Sequence, residues 1–260
     1  MSSTTRVHER IVVDRDGPLL TVTLDRPERH NAMVPSMWTA LARLGADLPT
    51  DVRVVVLRGS GASFSSGLDR ALLTPGGVPG ERDLHLQASG GEQQLVDEIG
   101  SYQKGFSVWR ECPAITVAAV HGHAIGAGFQ LALACDLRIV ADDVQLAMRE
   151  TSLGLVPDLA GTHPLVRLVG YSRALEICLT GRAVGAREAV DCGLASLSVP
   201  LAELDEATRD LADAVLANPP AAVLELKRLL RAAESSTPEQ QQYAERTTQA
   251  RLLAAMADRR

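Results

Sequence analysis

The chain is poor in aromatic residues. Two Trp, three Tyr and three Phe make up 3% of its 260 residues, too few for a surface that stacks single-stranded nucleic acid. Nor is there an excess of positive charge. The 26 Lys and Arg stand against 32 Asp and Glu, for a net charge of −6 and a pI near 5.5. A broad basic face for phosphate backbones is not expected, which leaves at most a local basic pocket. The four cysteines, Cys112, Cys135, Cys178 and Cys192, include no Cys-x-x-Cys pair. They suit reduced thiols in a cytoplasm-like compartment better than a disulfide framework. Long apolar runs are missing too. Residues 1–10 are polar, so no secretory signal is expected. The longest apolar stretches, 115–120 and 124–134, fall short of the roughly 18 residues that a membrane span needs. The expectation is a cytoplasmic protein with neither a nucleic-acid nor a membrane partner.

What is present is ordinary globular composition, 46% hydrophobic and 22% charged, in a chain long enough to bury a core as one large domain or two unequal ones. The turn signal Asp14-Arg15-Asp16-Gly17-Pro18 predicts a β-hairpin from residues 11–13 and 19–24. Met37, Trp38, Leu41 and Leu44 at helical spacing, with Pro35 near the start, predict a helix over 35–48. The β-branched run 52–57 and the segment 114–120 read as strands buried on both faces. Between them, residues 72–91 hold five glycines and two prolines. That is the composition of a long mobile loop of the kind that covers functional sites, and a helix over 93–110 follows it. Residues 127–134 read as a helix after Gly126, and 137–140 and 145–148 as short strands. Residues 173–179, 186–191, 201–217, 221–232 and 239–257 read as helices. The order β, β, α recurs around 11–48 and 114–134, as in stacked turns of a spiral. The expected fold is α/β, with stacked ββα turns over residues 1–198 and an all-helical extension over 199–260.

Two segments share one local plan. Ser63-Phe64-Ser65-Ser66-Gly67-Leu68-Asp69 follows the strand at 52–57, and His121-Gly122-His123-Ala124-Ile125-Gly126-Ala127-Gly128-Phe129-Gln130 follows the strand at 114–120. Each leads from a strand through a small-residue turn into a helix. The first N–H groups of such a helix lack internal partners, and its dipole adds positive potential. Two such turns side by side aim two donors at one oxygen. Tight strand–helix packing is the plainer reading of either turn alone. His121 and His123 have no cysteine or carboxylate at ligand spacing, so no metal is expected. Glycines 122, 126 and 128 do not follow a dinucleotide fingerprint, and Ser65 and Ser66 are not in a Gly-x-Ser-x-Gly elbow.

In order and spacing, several stretches together resemble the crotonase (enoyl-CoA hydratase/isomerase) superfamily. They are Arg26-Pro27-Glu28-Arg29-His30-Asn31-Ala32, Phe64-Ser65-Ser66-Gly67-Leu68-Asp69, Ala119-Val120-His121-Gly122 through Gly126-Ala127-Gly128, Ala134-Cys135-Asp136-Leu137-Arg138, Gly154-Leu155-Val156-Pro157, and Leu179-Thr180-Gly181 with Ala186, Ala189 and Gly193-Leu194. The resemblance covers nearly the whole chain. It implies a crotonase-type spiral that assembles through its C-terminal helices as a homotrimer or dimer of trimers. It implies an acyl-CoA thioester substrate, with coenzyme A as part of that substrate and no permanently bound cofactor. The backbone N–H groups of Ser66 and Ala127 would form an oxyanion hole. Arg29, His30 and Ala32 would line the coenzyme A channel, and Gly67, Leu68 and Asp69 would lie near the pantetheine. Gly126, Gln130 and Pro157 complete the implied substrate site.

The acids indicate the reaction. Hydratases of this family use two glutamates, one three residues after the second oxyanion donor and one about twenty residues later. Here the first position is Gln130, whose amide cannot serve as a general base but can hold a water. The second is Glu150. Asp158 stands eight residues on, where hydratases usually carry glycine. A glutamate and an aspartate at this spacing resemble the Δ3,5-Δ2,4-dienoyl-CoA isomerases. So do the long stretch between Asp69 and Cys112-Pro113 and the residues Tyr102-Gln103, Phe106 and Val108. Two features depart from that subgroup: an aspartate usually stands where Gln130 does, and Asp158-Leu159-Ala160-Gly161-Thr162 is one residue longer. The resemblance implies an isomerase that shifts double bonds of an unsaturated acyl-CoA, with Glu150 moving the proton at C2 and Asp158 acting at a distal carbon. An enoyl-CoA hydratase with an altered base and a non-catalytic acyl-CoA-binding paralogue are the alternatives. The plainer readings of the two acids are a solvated charge for Glu150 and a cap on a helix near 162–169 for Asp158.

Overall fold

A computed structural model describes residues 2–81 and 91–257. Its spine is a sheet in the order β1 (Ser2–His8), β2 (Ile11–Asp16), β3 (Leu19–Leu24), β4 (Val54–Gly59), β5 (Ile115–Val120), β7 (Leu137–Ala141) and β9 (Leu197–Val199). The first three strands are antiparallel, with Gly17 at φ +56 closing the expected hairpin, and the later ones are parallel. The parallel strands are buried on both faces. Val55 and Leu57 enter the main core while Val54 and Val56 enter a second one, and Ala118 and Val120 divide from Val117 and Ala119 in the same way. That is why their sequences read as continuous apolar runs.

Helices α1 (Pro35–Ala46) and α2 (Glu92–Glu111) cover the first face, where Trp38 meets Tyr102 and Phe106 edge-on at 5.2 and 6.0 Å. They cross closely because Gly105 has no Cβ to strike the Trp38 carbonyl. A second, short layer links successive turns. Met33 bridges Leu68, Ser65 bridges Ala124, and β6 (His123–Ile125) pairs with β8 (Gln145–Ala147). Leu146 then bridges Val184. This ladder of one-residue and three-residue contacts is the stacked-turn architecture expected from the recurring ββα order. Helix α3 (Ala127–Ala134) lies inside it with every residue buried.

The remaining helices are α4 (Thr162–Val169), α5 (Tyr171–Thr180), α6 (Ala186–Asp191), α7 (Leu204–Leu216), α8 (Pro220–Ala233) and α9 (Pro238–Ala257). Among the described residues no helix is long and apolar enough to cross a membrane. The polar start of the chain forms β1 rather than a loose end. Residues 201–203 form a separate 3-10 turn before α7. Of the expected loop at 72–91, residues 82–90 lie outside the described residues. Its beginning is a 3-10 turn, Arg70–Leu73, capped by Asp69.

Helix α7 packs Leu204 and Ala212 on the second face of the sheet. Helix α8 contrasts with it, because its single buried residue is Lys227. The Lys227 ammonium donates to the Ala114 carbonyl and to Asp136 Oδ2, each at 2.7 Å, and Asp136 also accepts from the Thr116 N–H and hydroxyl. Removing one partner of such a pair strands the other charge. Lys227→Ala is expected to cost roughly 3 kcal/mol in urea unfolding, at the low end for a buried pair because Thr116 still serves the carboxylate.

Candidate active site

The bridge between Ser65 and Ala124 organises the site. Ser65 donates its N–H to the His123 carbonyl at 2.8 Å, and its own carbonyl accepts the Ile125 N–H at 3.0 Å. Segments 65–68 and 124–127 therefore run side by side. A Cβ on Gly67, at φ +88, would overlap the Ile125 carbonyl and lie 3.5 Å from the Ala127 nitrogen. Only glycine permits that approach. Gly126, at φ +53 and ψ −118, then turns the chain into α3 and leaves the Ala127 N–H in the unpaired first turn. On the other segment Met33 donates to the Gly67 carbonyl at 2.7 Å and accepts from the Asp69 N–H at 2.9 Å. Leu68, between these two, directs its own N–H to the opposite side. Neither Leu68 nor Ala127 has a partner for its N–H among the described residues.

This corrects the expected donor pair. The Ser66 N–H is already given to the His30 carbonyl at 2.8 Å. His30 and Asn31 both adopt left-handed backbone, φ +50 and +53, which turns that carbonyl onto Ser66. The free amide lies two residues further on, at Leu68. Asn31, which pattern reading passes over, holds the arrangement. It is fully buried, its Oδ1 accepts the Arg26 N–H at 2.8 Å, and its Nδ2 donates to the Ser60 and Ser63 carbonyls at 2.8 and 2.7 Å.

The Asp69 carboxylate is buried. It is paired with Arg26 at 2.7 Å and accepts the Ala71 N–H at 3.1 Å. Burial opposes its ionisation, but the Ala71 N–H and the Arg26 guanidinium prevail and hold the carboxyl below its ordinary value. Arg29 and His30 are exposed beside the site, and Ala32 is buried.

Glu150 opens a 3-10 turn, Glu150–Leu153, just after β8. Its Oε1 lies 3.2 Å from where a Cβ of Gly126 would stand, next to the Ala127 amide. Oε1 accepts from Gln130 Nε2 at 2.8 Å, while Oε2 is buried without a partner among the described residues. Burial pushes this carboxyl up, the Gln130 hydrogen bond opposes the rise, and the Asp158 charge adds to it. Glu150 is thus no solvated charge. Asp158 follows the half-buried Pro157 on the loop before α4, open to solvent on one side. Desolvation by the protein around it pushes its carboxyl up as well. It does not cap α4, whose N-cap is Gly161 without a side-chain bond. Gln103 Nε2, on α2, holds the Asp158 carbonyl at 2.7 Å.

Gln130 is 1% exposed. Its Oε1 accepts the Leu159 N–H at 2.8 Å and the Gly161 N–H at 3.2 Å. The side chain is therefore a tie between the Glu150 turn and the Asp158 loop. Two surface cavities, about 430 and 650 Å³, lie elsewhere, one beside Ser36 and Tyr102 and one against α6 and β9. Neither is lined by the two carboxylates. Asn31→Ala is expected to lower stability by about 2–4 kcal/mol in chemical denaturation, since it strands three buried or part-buried backbone groups behind the Ser66 turn.

The chain has known relatives. The profile described as enoyl-CoA hydratase/isomerase matches residues 14–259. A crystal structure of a provisionally named enoyl-CoA hydratase from Thermobifida fusca YX, in complex with CoA, is 47% identical. It superposes with a TM-score of 0.90 over 96% of this chain and 95% of that one. The peroxisomal Δ(3,5)-Δ(2,4)-dienoyl-CoA isomerase of Arabidopsis thaliana is 30% identical over 95% of this chain and 89% of its own. Carnitinyl-CoA dehydratase of Salmonella enteritidis is 33% identical over 90% and 85%.

Proposed function

The chain belongs to the enoyl-CoA hydratase/isomerase family, and from that premise we propose that it is an isomerase that moves the double bonds of an unsaturated acyl-CoA. The observation that carries this reading is the state of Gln130. Its carbonyl is occupied by two loop amides and its amide bonds Glu150, so position 130 offers no second acid for adding water. Among the described residues the carboxyls that remain are Glu150, against the Gly126 turn, and Asp158, whose charge acts on it. The thioester oxygen accepts from the Leu68 and Ala127 N–H groups, which stabilise the enolate as its charge develops. Glu150, next to Ala127, stands closest to C2 and takes its proton. The electron pair delocalises through the diene into the carbonyl. A protonated Asp158 then donates at the distal carbon of a 3,5-dienoyl chain, giving the 2,4-dienoyl product. Glu150 ends protonated and Asp158 ionised, and one proton exchange resets the pair. The CoA complex of the Thermobifida relative and the name of the Arabidopsis one support the substrate class. The exposed apolar residues of α8 and α9, Leu226, Leu230, Tyr243, Leu253 and Met256, support assembly of copies of this chain as a trimer or dimer of trimers.

The test is turnover of a 3,5-dienoyl-CoA, followed by absorbance of the conjugated product, against hydration of crotonyl-CoA. Glu150→Gln and Asp158→Asn are each expected to lower isomerisation by about 100-fold or more with acyl-CoA affinity retained. Hydration without isomerisation, or full rate in both variants, overturns the reading, and tight binding without any turnover favours a binding paralogue. The base must be ionised, and burial raises Glu150. The rate is therefore expected to fall on the acid side with a midpoint above the ordinary glutamate value of about 4.3. A pH profile of kcat/KM checks this.

A further inference from the structure

Gln130 faces two ways, and its orientation is fixed by chemistry. The Leu159 and Gly161 N–H groups both converge on one atom, at 2.8 and 3.2 Å. Two donors demand an acceptor, so that atom is the amide oxygen and the nitrogen must face Glu150. The convergence comes from Ala160, a non-glycine residue at φ +64, which turns its two neighbours' N–H groups inward as a small cradle. Gly161 fits only because it lacks a side chain, since a Cβ there would stand 2.5 Å from Gln130 Cγ. Two N–H groups on the oxygen polarise the amide and strengthen its Nε2–H as a donor. That donor meets Glu150 Oε1 at 2.8 Å, while Oε2 is buried with no partner among the described residues.

We infer that Gln130 is the positioning residue of the site: its polarised amide locks Glu150 Oε1, leaves Oε2 as the oxygen that exchanges the substrate proton, and through the 159–161 cradle holds Asp158 in register with it. This rests on Glu150 being the base of the proposed reaction. Other groups that act on Glu150 are its own backbone N–H and that of Arg149, which favour the ionised form, Asp158 from the facing loop and Cys178 from α5. Arg149, its chain neighbour, points its guanidinium away to the Gly181 carbonyl at 3.3 Å. Gln130 is thus the side chain that donates a hydrogen bond to the carboxylate among the described residues. Removing that bond destabilises the ionised form and moves the acid limb upward.

The experiment measures exchange of the C2 protons of a saturated acyl-CoA in D2O by NMR, as a function of pH, together with isomerisation. Gln130→Met removes the donor at similar volume. Gln130→Glu keeps an acceptor for both loop amides, so it folds where the first variant fails to, and it places a second carboxylate against Glu150. The acid limb is expected to rise by about one pH unit in Gln130→Met and by more in Gln130→Glu. On the acid side of the limb exchange should drop by up to about tenfold in Gln130→Met, with binding of the saturated acyl-CoA changed less than about threefold. An acid limb unmoved in the folded variants overturns the inference while the functional reading stands. The two failures are separable, because exchange that survives Glu150→Gln removes the base itself and with it the reading on which Gln130 depends.

Discussion

The single bridge between Ser65 and Ala124 is the constraint on which the rest depends. Two segments far apart in sequence are held in parallel by a pair of backbone hydrogen bonds. Beyond that bridge each segment leaves one amide, Leu68 and Ala127, without a partner among the described residues. Glycine at 67 and at 126 makes this sterically possible, the first by letting the strands touch and the second by turning into α3 at a backbone angle that side chains resist. The apolar sheet and its two cores hold these segments rigid, which matters because a donor displaced by even a fraction of an ångström loses much of its effect on a developing charge.

Around that pair the polar groups form two sets of ties. Arg26, Asn31 and Asp69 fix the turn before Leu68, and Gln130 fixes the turns after β8 and before α4. Each buried polar side chain in these ties has its partners, with Glu150 Oε2 the exception at the centre. Unsatisfied buried oxygens cost stability. This one lies against the Gly126 turn, 3.8 Å from where a Cβ of that glycine would stand.

Much of the fold is legible in the sequence because its strongest signals are local. The runs at 54–57 and 115–120 are apolar on both faces, and the helix at 127–134 starts where a glycine turn requires it. The elements that pattern reading misses have weak local signals. β1 is a polar strand, Ser-Ser-Thr-Thr-Arg-Val-His, whose structure comes from pairing with β2 rather than from burial. β6 and β9 are three residues each and exist only as partners of β8 and β7. The site divides in the same way. Spacing and resemblance bring Ala127, Glu150 and Asp158 forward. Which amide of the Ser66-Gly67-Leu68 run is free depends on a left-handed pair at His30 and Asn31, about 35 residues away in the chain, and no motif records that contact.

The left-handed alanine at 160 carries a consequence for how such a site can change over generations. Its inward-turned amides need an oxygen at position 130, and the room left by Gly161 admits a side chain of just this length. A shorter residue at 130 abandons two donors, and a bulkier one collides with the loop. Of the common side chains, glutamine and glutamate alone bring an oxygen to both amides at this length, so the 158–161 backbone and position 130 can vary only together.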